Sequence, residues 1–380
     1  MWKRPIAKRP TLSTLRSLAI FTACLLLSAA APPGDGATRS RPAVIDAHAH
    51  IKPSGLQHLP GIMKSNGIDV MVNLSGGSNP RAFRVRQKMS EIVPGLLHFY
   101  TPAWRERIQP GFGAREAAKL ELSVSTFGYR GLKIAKALGL YLTDELGRRI
   151  PVDWPELDPL WAKAGELRVP VAIHTSDPKA FWEPPDPLNE RFEELSVHPS
   201  WSFHGPEYPP REVLLDERDR VIERHPKTTF ICVHMANSPE DLEVVDALLK
   251  RYPNVVVDIS ARVPEIGRHD PEAVRAFFIE HQDRILFGTD LGLSRRGLML
   301  GSTGNDTPGL DDVKPFFDAH FEFLETRTRD LRHPTPVQGD WSIDGIGLPP
   351  EVLRKIYRDN ALRVLRFTGP PGPSSAAPGP

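Results

Sequence analysis

The chain has 380 residues, 40% of them apolar and 25% charged, which supplies a large buried core and excludes a chain disordered throughout. Its 48 basic and 47 acidic residues nearly cancel; five of the basics (Lys3, Arg4, Lys8, Arg9, Arg16) and no acid lie in the first 31 residues, so the remainder carries 43 basic against 47 acidic residues, a formal charge of −4. That balance gives no basic footprint for nucleic acid. Proline, with 39 residues, is about twice its usual share and is spread among periodic segments, as expected for a globular body with stiff loops.

The chain begins with that basic stretch, followed by an apolar run of about fourteen residues from Leu18 to Ala31 that ends in small side chains. The run is short for a bilayer span and fits a secretory signal over residues 1–31, cleaved after Ala30 or Ala31. It predicts an exported protein, periplasmic or secreted, with no stable membrane anchor. Residues 32–43 read as a flexible tether and the Pro/Gly/Ser-rich residues 368–380 as a disordered tail. Cleavage would leave Cys232 as the only cysteine, so no intramolecular disulfide forms, and its place in an apolar strand predicts a buried thiol.

From residue 44 short β-rich runs alternate with loops and helical stretches. Eight strands are predicted: Val44–Ala47, Asp69–Leu74, Leu96–Thr101, Gly131–Ile134, Val169–Ile173, Thr228–Val233, Val255–Ile259 and Arg284–Phe287. Their continuous apolar character suits strands covered on both faces, and segments such as Asp241–Lys250 have helical spacing. The span from Val44 to Asp290 is close to the roughly 250 residues of an eight-stranded α/β barrel. A doubly wound sheet would bring a Gly-rich phosphate loop after its first strand, where this chain has Asp46-Ala-His-Ala-His50. The expected fold is therefore α/β, a distorted (β/α)8 TIM barrel with insertions at its catalytic face. Residues 175–211, with Phe181, Trp182, Trp201, Phe203 and Tyr208, and residues 291–340 are the insertions, both placed to wall the site.

Ionisable residues cluster where the apolar runs stop. His48 and His50, one residue apart on a strand, share a face, with Ala47 and Ala49 expected on the other. His174, His234 and Asp290 each end a later run. Buried groups of this kind need partners, and a divalent metal at the barrel mouth supplies one for all five. Zinc suits such imidazole and carboxylate donors; manganese, iron and cobalt fit by ligand type as well. Lys133, near the end of the fourth strand, has three readings: binding a substrate carboxylate, pairing with a ligand carboxylate, or bridging two metals if carbamylated.

These residues resemble the amidohydrolase superfamily, in particular its amidohydrolase-related branch of small-molecule hydrolases and decarboxylases. The resemblance rests on His48 and His50 after strand one, His174 after strand five, His234 after strand six, Asp290 in Phe-Gly-Thr-Asp after strand eight, and the ending Ile356–Leu365 with its Asn-Ala; it covers roughly residues 44–367. It implies that His48, His50, His174 and Asp290 bind a catalytic divalent metal, zinc in the first place, while His234 and Lys133 are either second-metal ligands or act on the substrate, with one ion favoured over two. The implied activity is a metal-dependent hydrolase of a small lactone, amide or ester, in which Asp290 accepts and returns the proton of attacking water and His234 stabilises the oxyanion. A decarboxylase of a small carboxylated aromatic or unsaturated acid is the alternative, and a non-catalytic metal-binding scaffold a further one. The expected partner is a small-molecule substrate, and oligomeric state is open.

Overall fold

The computed structural model describes residues 41–104 and 108–368. The predicted export signal, most of the tether and the tail from residue 369 lie outside the described residues. Eight parallel strands follow the predicted order: β1 Val44–Ile51, β2 Ile68–Asn73, β3 Leu96–Tyr100, β4 Gly131–Ile134, β5 Val171–Ile173, β6 Phe230–Cys232, β7 Val255–Asp258 and β8 Ile285–Leu286. Each pairs with its neighbour in sequence, and β9 (Leu291–Ser294) with its antiparallel partner β10 (Gly297–Leu300) extends the sheet beyond β1. Helices cross over between strands and start on local signals. Asn79, Asp241 and Asp270 accept backbone N–H groups at the heads of Pro80–Ile92, Leu242–Arg251 and Pro271–Glu280.

The sheet is curled into a distorted barrel. β8 lies against β7 through Val257↔Ile285 and Asp258↔Leu286, whereas five residues later β9 lies against β1 through Ala49↔Leu291. The strand thus changes neighbours along its length. Between the two pairings, Ala47 N donates to Phe287 O (2.9 Å) and Asp290 N to His48 O (2.9 Å), which seals the seam between the last and first strands. Gly288 lies in this seam, where an added Cβ would come within 3.1 Å of the His48 Cβ.

Alternation along the strands separates two cores. Ile45, Val70, Val72, Leu97, Phe99, Ala172, Ile231, Val256 and Leu286 pack together inside the sheet, and Ala361, Val364 and Leu365 from the last helix pack into the same cluster. Val44, Met71, Leu132, Ile134, Val171, Ile173, Phe230, Val255 and Val257 face the surrounding helices. β4 supplies Leu132 and Ile134 to the outer core and no apolar residue to the inner one, which gives the inward position to Lys133. By the same period, His174 follows Ala172 and Asp258 follows Val256.

Several boundaries differ from the sequence reading. β1 runs on to Ile51, so His48 and His50 lie within the strand. A register shift between Asp46 and Ala49 separates the two alanines: Ala47 joins the inner cluster and Ala49 the outer one, so they do not share a face as expected. β6 stops at Cys232 because the backbone then turns left-handed. β9 and β10 were not anticipated within the second insertion. Cys232 is buried, as expected. Among the described residues no helix is long and apolar enough to cross a membrane.

The closing helical run, Pro350–Leu365, widens to a π turn at Lys355–Asp359, where the Ile356 carbonyl accepts from Phe287 N (3.1 Å) of the barrel. Buried Asn360 then donates to Gln282 O (2.7 Å) and Ile285 O (2.9 Å), pinning the run to β8. Asn360→Ala would leave two carbonyls short of donors and should cost about 1–3 kcal/mol of stability, read as a lower denaturation midpoint at unchanged slope. An unchanged midpoint would show that the helix is held by apolar packing alone.

Candidate metal centre and active-site pocket

The geometry begins with two histidines whose ring orientations are set from behind. His48 Nδ1 lies 3.0 Å from Asp258 Oδ2, and because a carboxylate only accepts, Nδ1 carries the proton and Nε2 presents its lone pair. His50 Nδ1 is held by Ser75 Oγ at 2.8 Å. Both Nε2 atoms face Asp290, at 3.5 Å and 3.3 Å from its Oδ1. Among the described residues His48 Nε2 and Asp290 Oδ1 are buried without a hydrogen-bond partner. Donor atoms of His48, His50 and Asp290 lie within 4.8 Å of one another, so this trio, with its unpaired buried atoms, fits a divalent cation.

Asp290 is brought there by the strand that changes neighbours. Its φ of 61° is left-handed, and the turn before it is fastened by buried Asp46, which accepts from Thr289 N (3.2 Å), Thr289 Oγ1 (2.6 Å) and His48 N (3.1 Å). Asp258 is a second hub: besides His48 it accepts from His234 N (2.8 Å), Ser260 N (3.2 Å) and Ser260 Oγ. His48, His234 and Asp258 also have donor atoms within 4.8 Å, but Asp258 is already committed to these hydrogen bonds and orients the rings. A third group, Asp246, Glu280 and buried His281, is committed to other bonds, with Lys250 bridging its two acids and His281 Nε2 2.8 Å from Asp246 Oδ1.

His234 opens four consecutive left-handed residues, His234, Met235, Ala236 and Asn237, with φ between 53° and 62°. Such residues cost roughly 1–2 kcal/mol each when not glycine. The turn is clamped by buried Arg218, whose Nη1 donates to Ala236 O at 2.7 Å, and by Arg211, which donates to Asn237 O. His234 Nδ1 donates to Ser260 O (2.8 Å), which leaves its Nε2 as the free ring nitrogen. The His234 and His48 rings lie 4.7 Å apart, and His174 is 4.5 Å beyond.

The structure therefore gathers all five strand-end residues at one mouth but groups them unequally. His174 is outside the trio of donor distances, and its Nε2 lies 3.3 Å from Asp177 Oδ1. Lys133 is buried with no partner for Nζ among the described residues, close enough to the histidines for its charge to matter. Burial lowers the pKa of His48, His50, His174 and His234, reinforced at the first three by Lys133, so the rings are neutral near pH 7, the form that binds metal. Burial likewise lowers Lys133, against the pull of Asp258 and Asp290, and raises Asp290, against that of Lys133. Asp46 is pushed up to about 7 by burial. Burial would also raise Asp177, but Lys136, His174 and Arg262 outweigh it and hold this carboxylate well below its usual range.

Four contributors escaped the sequence reading. Asp258 ends Val255-Val-Val-Asp in the same way that His174 ends β5, so the rule that found the histidines applied to it too. Asp177, paired with Lys136, and Arg262, 3.4 Å from Asp177 Oδ1, sit in loops with no periodic signal. A cavity of about 120 Å³ is lined by His174, His234, Asp290, Lys136 and Arg262, with Phe181, Glu194 and Trp201 from the first insertion and Met299, Ser302 and Gln338 from the second. Both insertions wall the site.

A barrel mouth where two strand-borne imidazoles and a carboxylate converge defines a metal-dependent enzyme for a small organic substrate. A family model described as amidohydrolase matches residues 45–367, and the chain belongs to that family. Among solved structures, one named amidohydrolase II is 14% identical, with a TM-score of 0.50, covering 85% of this chain and 99% of its own. The 2,6-dihydroxybenzoate decarboxylase from Rhizobium is 17% identical, with a TM-score of 0.48 and coverage of 85% and 98%. A dihydroxybenzoic acid decarboxylase from Polaromonas, solved with manganese and 2-nitroresorcinol, is 15% identical, with a TM-score of 0.47 and coverage of 85% and 97%. These likenesses are likenesses of fold. No curated protein sequence matches the chain.

Asp258→Ala should lower divalent-metal affinity by about 10–100-fold, the usual effect of losing a carboxylate behind a ligating histidine. Competition against a chromophoric chelator measures this, with far-ultraviolet circular dichroism to verify the fold. Affinity equal to that of the unmodified protein would show that His48 does not depend on Asp258 for its orientation.

Proposed function

We propose that this protein is a metal-dependent decarboxylase of a small carboxylated organic acid. The observation that carries the reading is a pair of cations, Lys136 and Arg262, lining the cavity that holds Asp290, His174 and His234. Among the described residues Arg262 Nε, and the Nζ of Lys133 buried near the same histidines, have no hydrogen-bond partner. A substrate carboxylate offers such donors a charged acceptor, which a neutral lactone or ester does not.

We assign the ion to His48, His50 and Asp290, with His174 beside them and one ion rather than two. Zinc and manganese both suit the donor set. When bound, the ion supplies Lewis-acid polarisation of a substrate oxygen. Arg262 and Lys136 hold and orient a carboxylate, and Phe181 and Trp201 exclude water from it. Loss of carbon dioxide leaves an electron pair on carbon that takes up one proton, so R–CO₂⁻ and H⁺ become R–H and CO₂. Asp290, which lines the cavity beside His234, is placed to relay that proton through the oxygen not committed to the ion. Hydrolysis is the second reading. It uses the same pair in the opposite sense, Asp290 accepting a proton from water while His234, its proton held on Nδ1, presents the lone pair of Nε2 as a second acceptor and not as the oxyanion donor expected from the sequence. The basic and apolar N-terminus supports export, and N-terminal sequencing of the native protein should find the chain starting near residue 31.

Incubating the metal-loaded protein with a panel of aromatic and unsaturated carboxylic acids, lactones and amides should release carbon dioxide from an acid without incorporation of ¹⁸O from labelled water. Chelation should abolish turnover, and re-addition of zinc or manganese should restore it. Asp290→Asn, compared at matched metal content, should lower kcat by about 10²-fold. Label incorporation without carbon dioxide would replace the decarboxylase reading with the hydrolytic one. Two ions per chain bridged by a modified Lys133 would overturn the one-ion assignment.

A further inference from the structure

We propose that the cleft on the far side of the β9–β10 hairpin is a second subsite, which binds an anionic group at the distal end of the substrate. This rests on the reading above and narrows it to acids that carry two acidic groups.

The cavity containing Asp290, His174 and His234 is about 120 Å³, room for a carboxylate and the few atoms attached to it. A second cavity of about 480 Å³ lies across the hairpin and contains His50. Met299 lines both, and His50 Nε2 is 3.3 Å from Asp290 Oδ1. The candidate metal position thus lies where the two cavities meet, and a substrate too long for the first extends into the second. There Lys52 and Arg296 face a single acid, Asp306. Among the described residues neither cation has a side-chain hydrogen bond or ion pair, so the cleft carries one unbalanced positive charge.

The cleft is preformed. Lys52 N donates to Leu293 O at 2.9 Å, which ties the end of β1 to β9. At the hairpin tip Arg295 N donates to Ser54 Oγ (2.9 Å) and Arg296 N to Ser294 Oγ (3.1 Å). Gly297, at φ 117°, lets the tip close against Thr307, where a Cβ would approach to 2.6 Å. Two cations carried on backbone held in this way line one cleft, where a carboxylate can accept from both.

Calorimetric titration of the metal-loaded full chain with benzoate and with isophthalate, its 3-carboxylated analogue, tests the proposal. Isophthalate should bind at least tenfold more tightly, and the preference should collapse in Lys52→Met/Arg296→Met while it persists in Lys52→Arg/Arg296→Lys. Both residues are at the surface, and matching melting curves verify that the variants fold. Equal affinities, a preference that survives the methionine pair, or no binding of either acid would overturn the subsite. If no acid is decarboxylated but the preference depends on Lys52 and Arg296, the subsite stands and the assigned reaction falls. If acids are decarboxylated without the preference, the reaction stands and the subsite falls.

Discussion

A parallel barrel must join its last strand to its first, and in this chain that join also makes the reactive centre. β8 starts beside β7 and its continuation ends beside β1. The residues between carry the change of neighbour, and Asp290 takes a left-handed conformation there while its N–H bonds to the carbonyl of His48. The carboxylate and the imidazole that face each other are therefore on residues whose backbones are bonded to each other. Their separation is set by a peptide hydrogen bond, which is far stiffer than two long side chains meeting across a cavity. Asp46 reinforces the same seam, bonding to Thr289 and to His48 N, and so links the residue before Asp290 and His48 itself to one buried carboxyl.

Strain at the mouth is borne by the same network. The left-handed run from His234 to Asn237 is unfavourable for residues with a Cβ, by an amount on the order of several kcal/mol for four of them. It is held by fixed partners for three of its peptide groups: Asp258 for His234 N, Arg218 for Ala236 O, Arg211 for Asn237 O. The return on that cost is direction. β6 would otherwise carry its next side chains onward along the strand; the turn sends His234 sideways, against the rings of His48 and His174. Asp258 participates in both effects, because one of its oxygens holds the turn and the other the tautomer of His48.

The barrel was legible in the sequence because its signal is local and repeated: eight short apolar runs, each needing only a few residues to be seen. The mouth was legible for the same reason, since a charged residue ending an apolar run stands out at His174, His234 and Asp290. What escaped depends on contacts between distant segments. Arg262 and Asp177 are ordinary loop residues until β5 and β7 stand near each other and bring them to 3.4 Å. The extension of β1 to Ile51 follows from pairing with β9, a partner nearly 240 residues away, and no property of residues 48–51 announces it. The register shift that parts Ala47 from Ala49 is likewise a product of pairing with β2. The family resemblance supplied the ligand set as a set; the unequal grouping, with His174 turned toward Asp177, is a matter of side-chain hydrogen bonds that spacing does not encode.

The distribution of charge links these observations to selectivity. A barrel whose inner layer is apolar tolerates a cation such as Lys133 only if opposite charge is close, and Asp258 and Asp290 provide it. Those two carboxylates are also the groups that orient and complete the metal trio. A divalent ion at the trio competes with Lys133 for the same negative charge, so loading the metal leaves the lysine less well compensated than before. The same holds for Arg262, whose counter-ion Asp177 is shared with Lys136 and His174. In a region closed off by the two insertions these charges are weakly screened. On the decarboxylase reading proposed above, a substrate carboxylate would pair with Arg262 and Lys136 on binding, and its loss as uncharged carbon dioxide would leave a product with no hold on the cations that bound its precursor.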